Sequence, residues 1–327
     1  MTSRRAWLAF VAAAAAAGPR RAFAQPAART VRVAILRPSV RPPQDRFATG
    51  IQNALAKLGY VEGRNLVVDT RYAAGRIDDL PRLAREQVAA RPDVVIAVGL
   101  AAARALQQTT TTIPIVFWGN VDPIATGLVS DLARPGGNLT GVLIAPEGTL
   151  AVKRLELLKE AVPRASRVAL LAPDDSGFAV QLRETREAAS SLGVDLAVAT
   201  VRGGDFERAF GEIAAARAAA LLVGATTHFV VARHTVIALA AKHRLPAMYE
   251  WPEQVEDGGL MAYGDSLAAA NGRVAAYVDR ILRGTNPGEL PILQPTTFRL
   301  AINLRTAKAL GLAIPQALLL RADEVIR

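Results

Sequence analysis

Cysteine is absent from the 327-residue chain. That excludes disulfides, thiolate metal sites, cysteine nucleophiles and a lipid anchor on an N-terminal cysteine. Histidine is nearly absent. His228, His234 and His243 show neither His-x-His nor His-Glu-x-x-His spacing, so no zinc site is expected. No P-loop, no Gly-x-Gly-x-x-Gly turn after the first strand and no Gly-x-Ser-x-Gly elbow occurs, so no cofactor is expected. Aromatic residues are scarce, at 5%, and those at strand ends are worth locating. The formal net charge is +10, but no basic run is interleaved with aromatics, so a nucleic-acid surface is unsupported. Beyond the N-terminal segment no apolar run approaches the length of a membrane span.

What is present begins with an export pattern. Arg4-Arg5 precede a short apolar run, Trp7 to Ala17, and Ala22-Phe23-Ala24 offers a small-residue cleavage site before Gln25. Ser3-Arg4-Arg5-Ala6-Trp7-Leu8 resembles a twin-arginine signal. Removing 1–24 takes away Arg4, Arg5, Arg20 and Arg21 and lowers the net charge by four. The expectation is a soluble protein in a periplasmic compartment, neither a lipoprotein nor membrane-embedded.

From Val31 short apolar runs alternate with amphipathic ones. Strands are expected over Val31 to Leu36, Leu66 to Thr70, Val94 to Val98 and Ile115 to Trp118. Helices are expected over Arg46 to Leu58, Asp78 to Ala90 and Ala101 to Gln108. That alternation implies a parallel sheet covered on both faces. The pattern then restarts. Arg167-Val-Ala-Leu-Leu-Ala-Pro173 echoes Arg32-Val-Ala-Ile-Leu-Arg-Pro38, and Leu192-Gly193-Val194 echoes Leu58-Gly59-Tyr60. Leu221 to Gly224 echoes Val95 to Gly99, and Leu245 to Tyr249 echoes Ile113 to Phe117. Four landmarks in one order at similar offsets predict an α/β fold of two similar doubly wound parallel-sheet lobes with a ligand cleft between them. The expected layout is an export signal over 1–24, a first lobe over 31–142 plus 263–290 and a second over 143–262. A hinge-crossing strand and terminal helix follow over 291–327.

Ligands of open α/β sheets bind outside the carboxyl ends of the strands, which selects the candidates. Arg37 and Ser39 would fork a carboxylate, or belong to a solvated turn. Gly99 would let backbone N–H groups approach an anion, or simply turn strand into helix. Asn120 can bond in either sense. Asp122 would neutralise an ammonium or cap a helix begun by Pro123. In the second half Asp174 and Asp175, then Thr226, Thr227 and His228, then Tyr249 and Glu250, follow successive strands. Glu250 is the better amine partner, because Tyr249 and Trp251 flank it. Asp265 adds a carboxylate near the hinge.

Several longer strings carry a family resemblance. They are Leu58-Gly-Tyr-Val-Glu-Gly-Arg-Asn65, Thr112-Ile-Pro-Ile-Val-Phe117 and Asp122-Pro123, then Leu132-Ala-Arg-Pro-Gly-Gly-Asn-Leu-Thr-Gly141, Lys153-Arg-Leu-Glu-Leu-Leu158 and Gly258-Gly-Leu-Met-Ala-Tyr-Gly264. Ile302-Asn-Leu-Arg-Thr-Ala-Lys-Ala-Leu-Gly-Leu312 and Arg321-Ala-Asp-Glu-Val325 complete the set. Together they resemble the ABC-transporter substrate-binding proteins related to tryptophan-binding periplasmic proteins. The resemblance implies a type I periplasmic-binding-protein fold and partnership with an ABC permease and its ATPase. It implies capture of an amino acid or related small carboxylate, with some relatives taking aromatic ones. A monomer that binds without turnover is expected. A sensing subunit for a signalling receptor would use the same closure. A two-lobed α/β enzyme is the third reading; racemases of this shape often use a cysteine pair, which is absent.

Overall fold

The computed structural model describes residues 29–42, 45–144, 149–174 and 178–327. The expected export segment 1–24 and Asp175 lie outside them.

The first sheet is built from β1 (Val31–Arg37), β2 (Leu66–Tyr72), β3 (Val94–Val98), β4 (Ile115–Gly119) and β5 (Leu139–Leu143). Its order is β2-β1-β3-β4-β5, with every pairing parallel. The central strands β3 and β4 are buried along their whole length, as continuous apolar runs in a doubly covered parallel sheet should be. Helices α1 (Arg46–Lys57), α2 (Leu80–Ala89) and α3 (Leu100–Gln107) connect them. Asp45 starts α1 by accepting from the Ala48 N–H at 3.0 Å, and Phe47, Ala48, Ile51 and Leu55 form its buried stripe.

The second sheet holds β6 (Arg167–Pro173), β7 (Asp195–Val201), β8 (Ala220–Val223), β9 (Ala247–Tyr249) and β10 (Met261–Gly264). It is extended by β11 (Arg299–Asn303) and β12 (Glu324–Ile326). Its order, β12-β11-β10-β9-β8-β6-β7, contains the first sheet's sequence of strands. Val33 pairs with Val94 and Val168 with Ala220, so strands that echo one another in the sequence also pair in equivalent register. The covering helices are α4 (Thr149–Ala161), α5 (Ala179–Ser191), α6 (Phe206–Ala215), α7 (Thr227–Val231), α8 (Arg233–Lys242) and α9 (Pro252–Glu256).

The chain then returns. In α10 (Leu267–Leu282) Ser266 accepts from the Ala269 N–H at the N-terminus. Leu267, Ala270, Val274, Val278 and Ile281 join the first sheet's core beside α1. Gly50 allows this approach, since a Cβ there would collide with the Asn271 side chain. Within the segment 291–327, β11 pairs antiparallel with β10 of the second sheet. Helices α11 (Leu304–Leu310) and α12 (Gln316–Arg321) follow, and the closing strand β12 lies beside β11. Among the described residues no helix is long and apolar enough to cross a membrane.

Candidate functional site

The carboxyl ends of β1 and β4 face the segments after β8 and β9 across a cleft. It is lined by Arg37, Asp45, Phe47, Trp118, Val230, Arg233, Trp251, Glu253, Gln254 and Leu267, among others. The first lobe supplies an aromatic wall, with Phe47 and Trp118 rings 4.6 Å apart. Trp251, from the second lobe, lies nearly parallel to Trp118, at 13° and 6.2 Å between centroids. Trp251 is only 2% exposed and packs in the first lobe's core cluster, as does Val230 at its margin. Arg46 of α1 reaches Asp257 of the second lobe at 2.8 Å, and Arg233 holds the other oxygen of that carboxylate at 2.7 Å. The two lobes are therefore in closed contact, and the void between them is about 30 Å³, far smaller than an amino acid.

Arg37 ends β1 and is 4% exposed. Its Nη1 donates to Asp45 at 2.5 Å, and its guanidinium lies 5.2 Å from the Phe47 ring centroid and 5.7 Å from that of Tyr72. The Tyr72 hydroxyl donates to the other Asp45 oxygen. Burial pushes the Asp45 carboxyl up, but the Arg37 charge and the donors Tyr72 and Ala48 outweigh it and hold the group below its ordinary value. Tyr72, half-buried and bonded to Asp45, is pushed up to about 12. The Arg37 Nε is buried with no partner among the described residues, so one edge of the fork is held while the other keeps its capacity for an anion.

A pH dependence follows from Asp45. Its folded pKa is depressed, so its contribution is present above the unfolded value and lost as pH falls through the folded one. Asp45→Asn is expected to cost about 2 kcal/mol near neutrality. In thermal melts the gap from the parent should close below about pH 4.

A second polar cluster lies under the second lobe's side of the cleft. Glu250, 4% exposed, sits 3.9 Å from Arg154 of α4. Arg154 Nε donates to the Tyr263 carbonyl at 2.7 Å. Neither Glu250 oxygen nor Arg154 Nη2 has a hydrogen bond among the described residues. Burial pushes the Glu250 carboxyl up, partly offset by Arg154, and burial also lowers the Arg154 guanidinium. Asp265 pairs with Arg273 and accepts from the Ser266 N–H at 2.8 Å.

Of the residues singled out from the sequence, Arg37 lines the cleft. The Ser39 hydroxyl is buried without a partner among the described residues. Asn120 is half-buried just beyond β4. Others are committed elsewhere. Gly99, at φ 82°, donates its N–H to the Trp118 carbonyl at 2.8 Å and turns β3 into α3. Asp122 accepts from the Ile124 and Ala125 N–H groups at 2.7 and 3.0 Å, the capping alternative. Asp174 is exposed, 4.0 Å from Arg202. Thr226 caps α7 by accepting from the Phe229 N–H, and the side chain of Thr227 lies outside the described residues. His228 is exposed and stacks on Phe206 at 5.5 Å. Tyr249 is buried in the second lobe's core, so only Trp251 of the two flanking aromatics reaches the cleft. Glu250 lies behind that wall with Arg154. Glu253, Asp45, Phe47 and Trp118 line the cleft without having been singled out. Among the described residues no group of His, Asp or Glu is arranged to hold a metal.

The comparisons with known proteins agree on one group. A family model described as ABC transporter substrate binding protein matches residues 32–326. The tyrosine-binding protein of Clostridioides difficile (strain R20291) is 24% identical over 284 residues, covering 83% of this chain and 78% of its own. The crystal structure of a conserved domain protein from Vibrio cholerae superposes with a TM-score of 0.80 at 30% identity, covering 91% of this chain and 100% of that one. A Streptococcus pneumonia ABC domain in complex with L-Trp gives 0.78 at 24% identity, with the same coverage.

Proposed function

Because the chain belongs to the ABC transporter substrate-binding protein family, we propose that its cleft captures an amino acid or related small carboxylate, of aromatic character, outside the cytoplasm. It then hands that solute unchanged to an ABC permease driven by its own ATPase. The observation that carries the ligand class is the pairing of Arg37 with an aromatic wall. A guanidinium whose buried Nε has no partner among the described residues sits beside Phe47, Trp118 and Trp251, which suits a carboxylate joined to a flat apolar group. The Trp118 and Trp251 rings lie nearly parallel with centroids 6.2 Å apart, so a parting of the lobes would bare flat indole faces to an aromatic solute. The named ligands of the tyrosine-binding and L-Trp-bound relatives fit the same chemistry.

The proposed mechanism is a shift of population. Solute touches both lobes only when they are closed, and that difference in affinity drives closure. The closed surface is what the permease recognises, and turnover has no part in the cycle. Export through the twin-arginine route and action as a monomer belong to the same proposal.

Thermal unfolding of the purified protein against amino acids, aromatic acids, sugars and nucleosides tests it. A solute at a hundred times its dissociation constant should add about 2.7 kcal/mol of stability and be recovered unchanged. A shift with sugars or nucleosides alone would replace the solute class, and chemical conversion would replace binding by catalysis.

A further inference from the structure

Asp45 and Glu253 line the cleft, Asp257, Asp265 and Glu250 belong to its surroundings, and most of these carboxylates are already engaged. Asp45 is held by Arg37, Tyr72 and the Ala48 N–H. Asp257 is held by Arg46 and Arg233. Asp265 is held by Arg273 and the Ser266 N–H. Glu250 lies behind the wall, opposite Arg154. Glu253 differs. Its Oε1 accepts from the Leu267 N–H at 2.8 Å and the Ser266 hydroxyl at 3.1 Å. Its Oε2 is buried without a partner among the described residues, and the residue lines the same cleft as Arg37.

The position of Glu253 is as informative as its charge. It belongs to α9 in the second lobe, but the groups it caps form the first turn of α10, whose buried stripe packs in the first lobe. One oxygen thus ties the second lobe to the segment that crosses back. The other is buried, where an acceptor without a donor is costly and a cation is the strongest donor available. Burial pushes this carboxyl up while its hydrogen bonds oppose the shift, as expected of an acid whose charge wants a counter-ion.

We propose that Glu253 receives the protonated amine of the solute through Oε2 while Oε1 keeps its hold on α10. The protein would thereby select amino acids over the corresponding plain carboxylates and couple that choice to closure. The inference rests on the reading of the cleft as the solute site and adds the amine to the ligand's description. Arg37 on the first lobe and Glu253 on the second would divide the zwitterion between them, so that neither lobe alone makes both contacts.

The test uses matched pairs, L-tryptophan with 3-(indol-3-yl)propionate and L-tyrosine with 3-(4-hydroxyphenyl)propionate, titrated calorimetrically into the parent protein and Glu253→Gln. Glutamine still presents a carbonyl to the Leu267 N–H and the Ser266 hydroxyl, so the cap survives while the charge is lost. The expected result is a preference of at least tenfold for the amino acid in the parent. That preference should vanish in Glu253→Gln through weaker amino-acid binding, with the propionate affinity unchanged. Equal affinity for both members of a pair in the parent, or an equal loss for both in Glu253→Gln, would leave Glu253 as a helix cap only and overturn the inference while sparing the solute site. Failure of all four compounds to bind the parent would instead overturn the aromatic-carboxylate reading on which it rests.

Discussion

Trp251→Ala is expected to weaken solute binding by about 30-fold or more, the loss of a ~2 kcal/mol anchor at the centre of an interface. The side chain comes from the second lobe but is buried in the first lobe's core cluster, nearly parallel to Trp118. It joins the two lobes and, in the proposed site, would offer a face to a flat ligand. Alanine would remove both, and Val230, Arg46 and Asp257 would remain as the other lobe-to-lobe contacts. Calorimetric titration gives the affinity. Small-angle scattering, with and without solute, should show a more open particle in both conditions. Retained affinity with an unchanged scattering radius would move the site away from the Trp118–Trp251 pair.

Arg154→Met is expected to cost about 3–5 kcal/mol of stability, since it leaves Glu250 buried without its counter-charge. That corresponds to a Tm lower by on the order of 10 °C. The pH dependence has a definite sign. The folded pKa of Glu250 is raised by burial against the pull of Arg154, so ionising it costs stability as pH rises from the unfolded value toward the folded one. Removing Arg154 raises it further. The Tm deficit of Arg154→Met should thus be largest near neutrality and shrink as pH falls toward about 4.5. Arg154→Met with Glu250→Leu should recover most of the loss, because an apolar pair of similar volume can replace a buried ion pair. A deficit independent of pH, persisting in the double variant, would mean that Arg154 acts through packing and its bond to the Tyr263 carbonyl alone.

The strands were legible because burial on both faces leaves no polar alternation to misread. Val94–Val98 and Ile115–Gly119 are apolar end to end. The internal repeat was legible because equivalent strand starts carry similar words. The site was legible only where chain direction decides it, as at Arg37, which ends the first strand. Which way a side chain turns beyond a strand end was not. Tyr249 and Trp251 flank Glu250 symmetrically in sequence. In space Tyr249 closes β9 and enters its own lobe's core, whereas Trp251 precedes α9 and crosses to the other lobe. Pairings at long range were equally hidden. Arg46 and Asp257 meet across 211 residues, and nothing local in either segment names the other. Glu253 was missed because a glutamate next to a proline at a helix start reads as an ordinary N-terminal acid.

The C-terminal stretch also guards strand edges. After α10 the chain runs along β5, where Leu293 accepts from the Leu143 N–H and donates to the Gly141 carbonyl, at 2.7 and 2.9 Å. It then enters the second sheet as β11 and covers β10. The same position in each half of the repeat, β5 and β10, is thus closed off by one continuous segment. Removing residues from 291 onward would bare two parallel-sheet edges at once, each an open template for another chain. Such a truncated protein should fail through intermolecular strand pairing, collecting in insoluble, sheet-rich material, before any question of solute affinity arises.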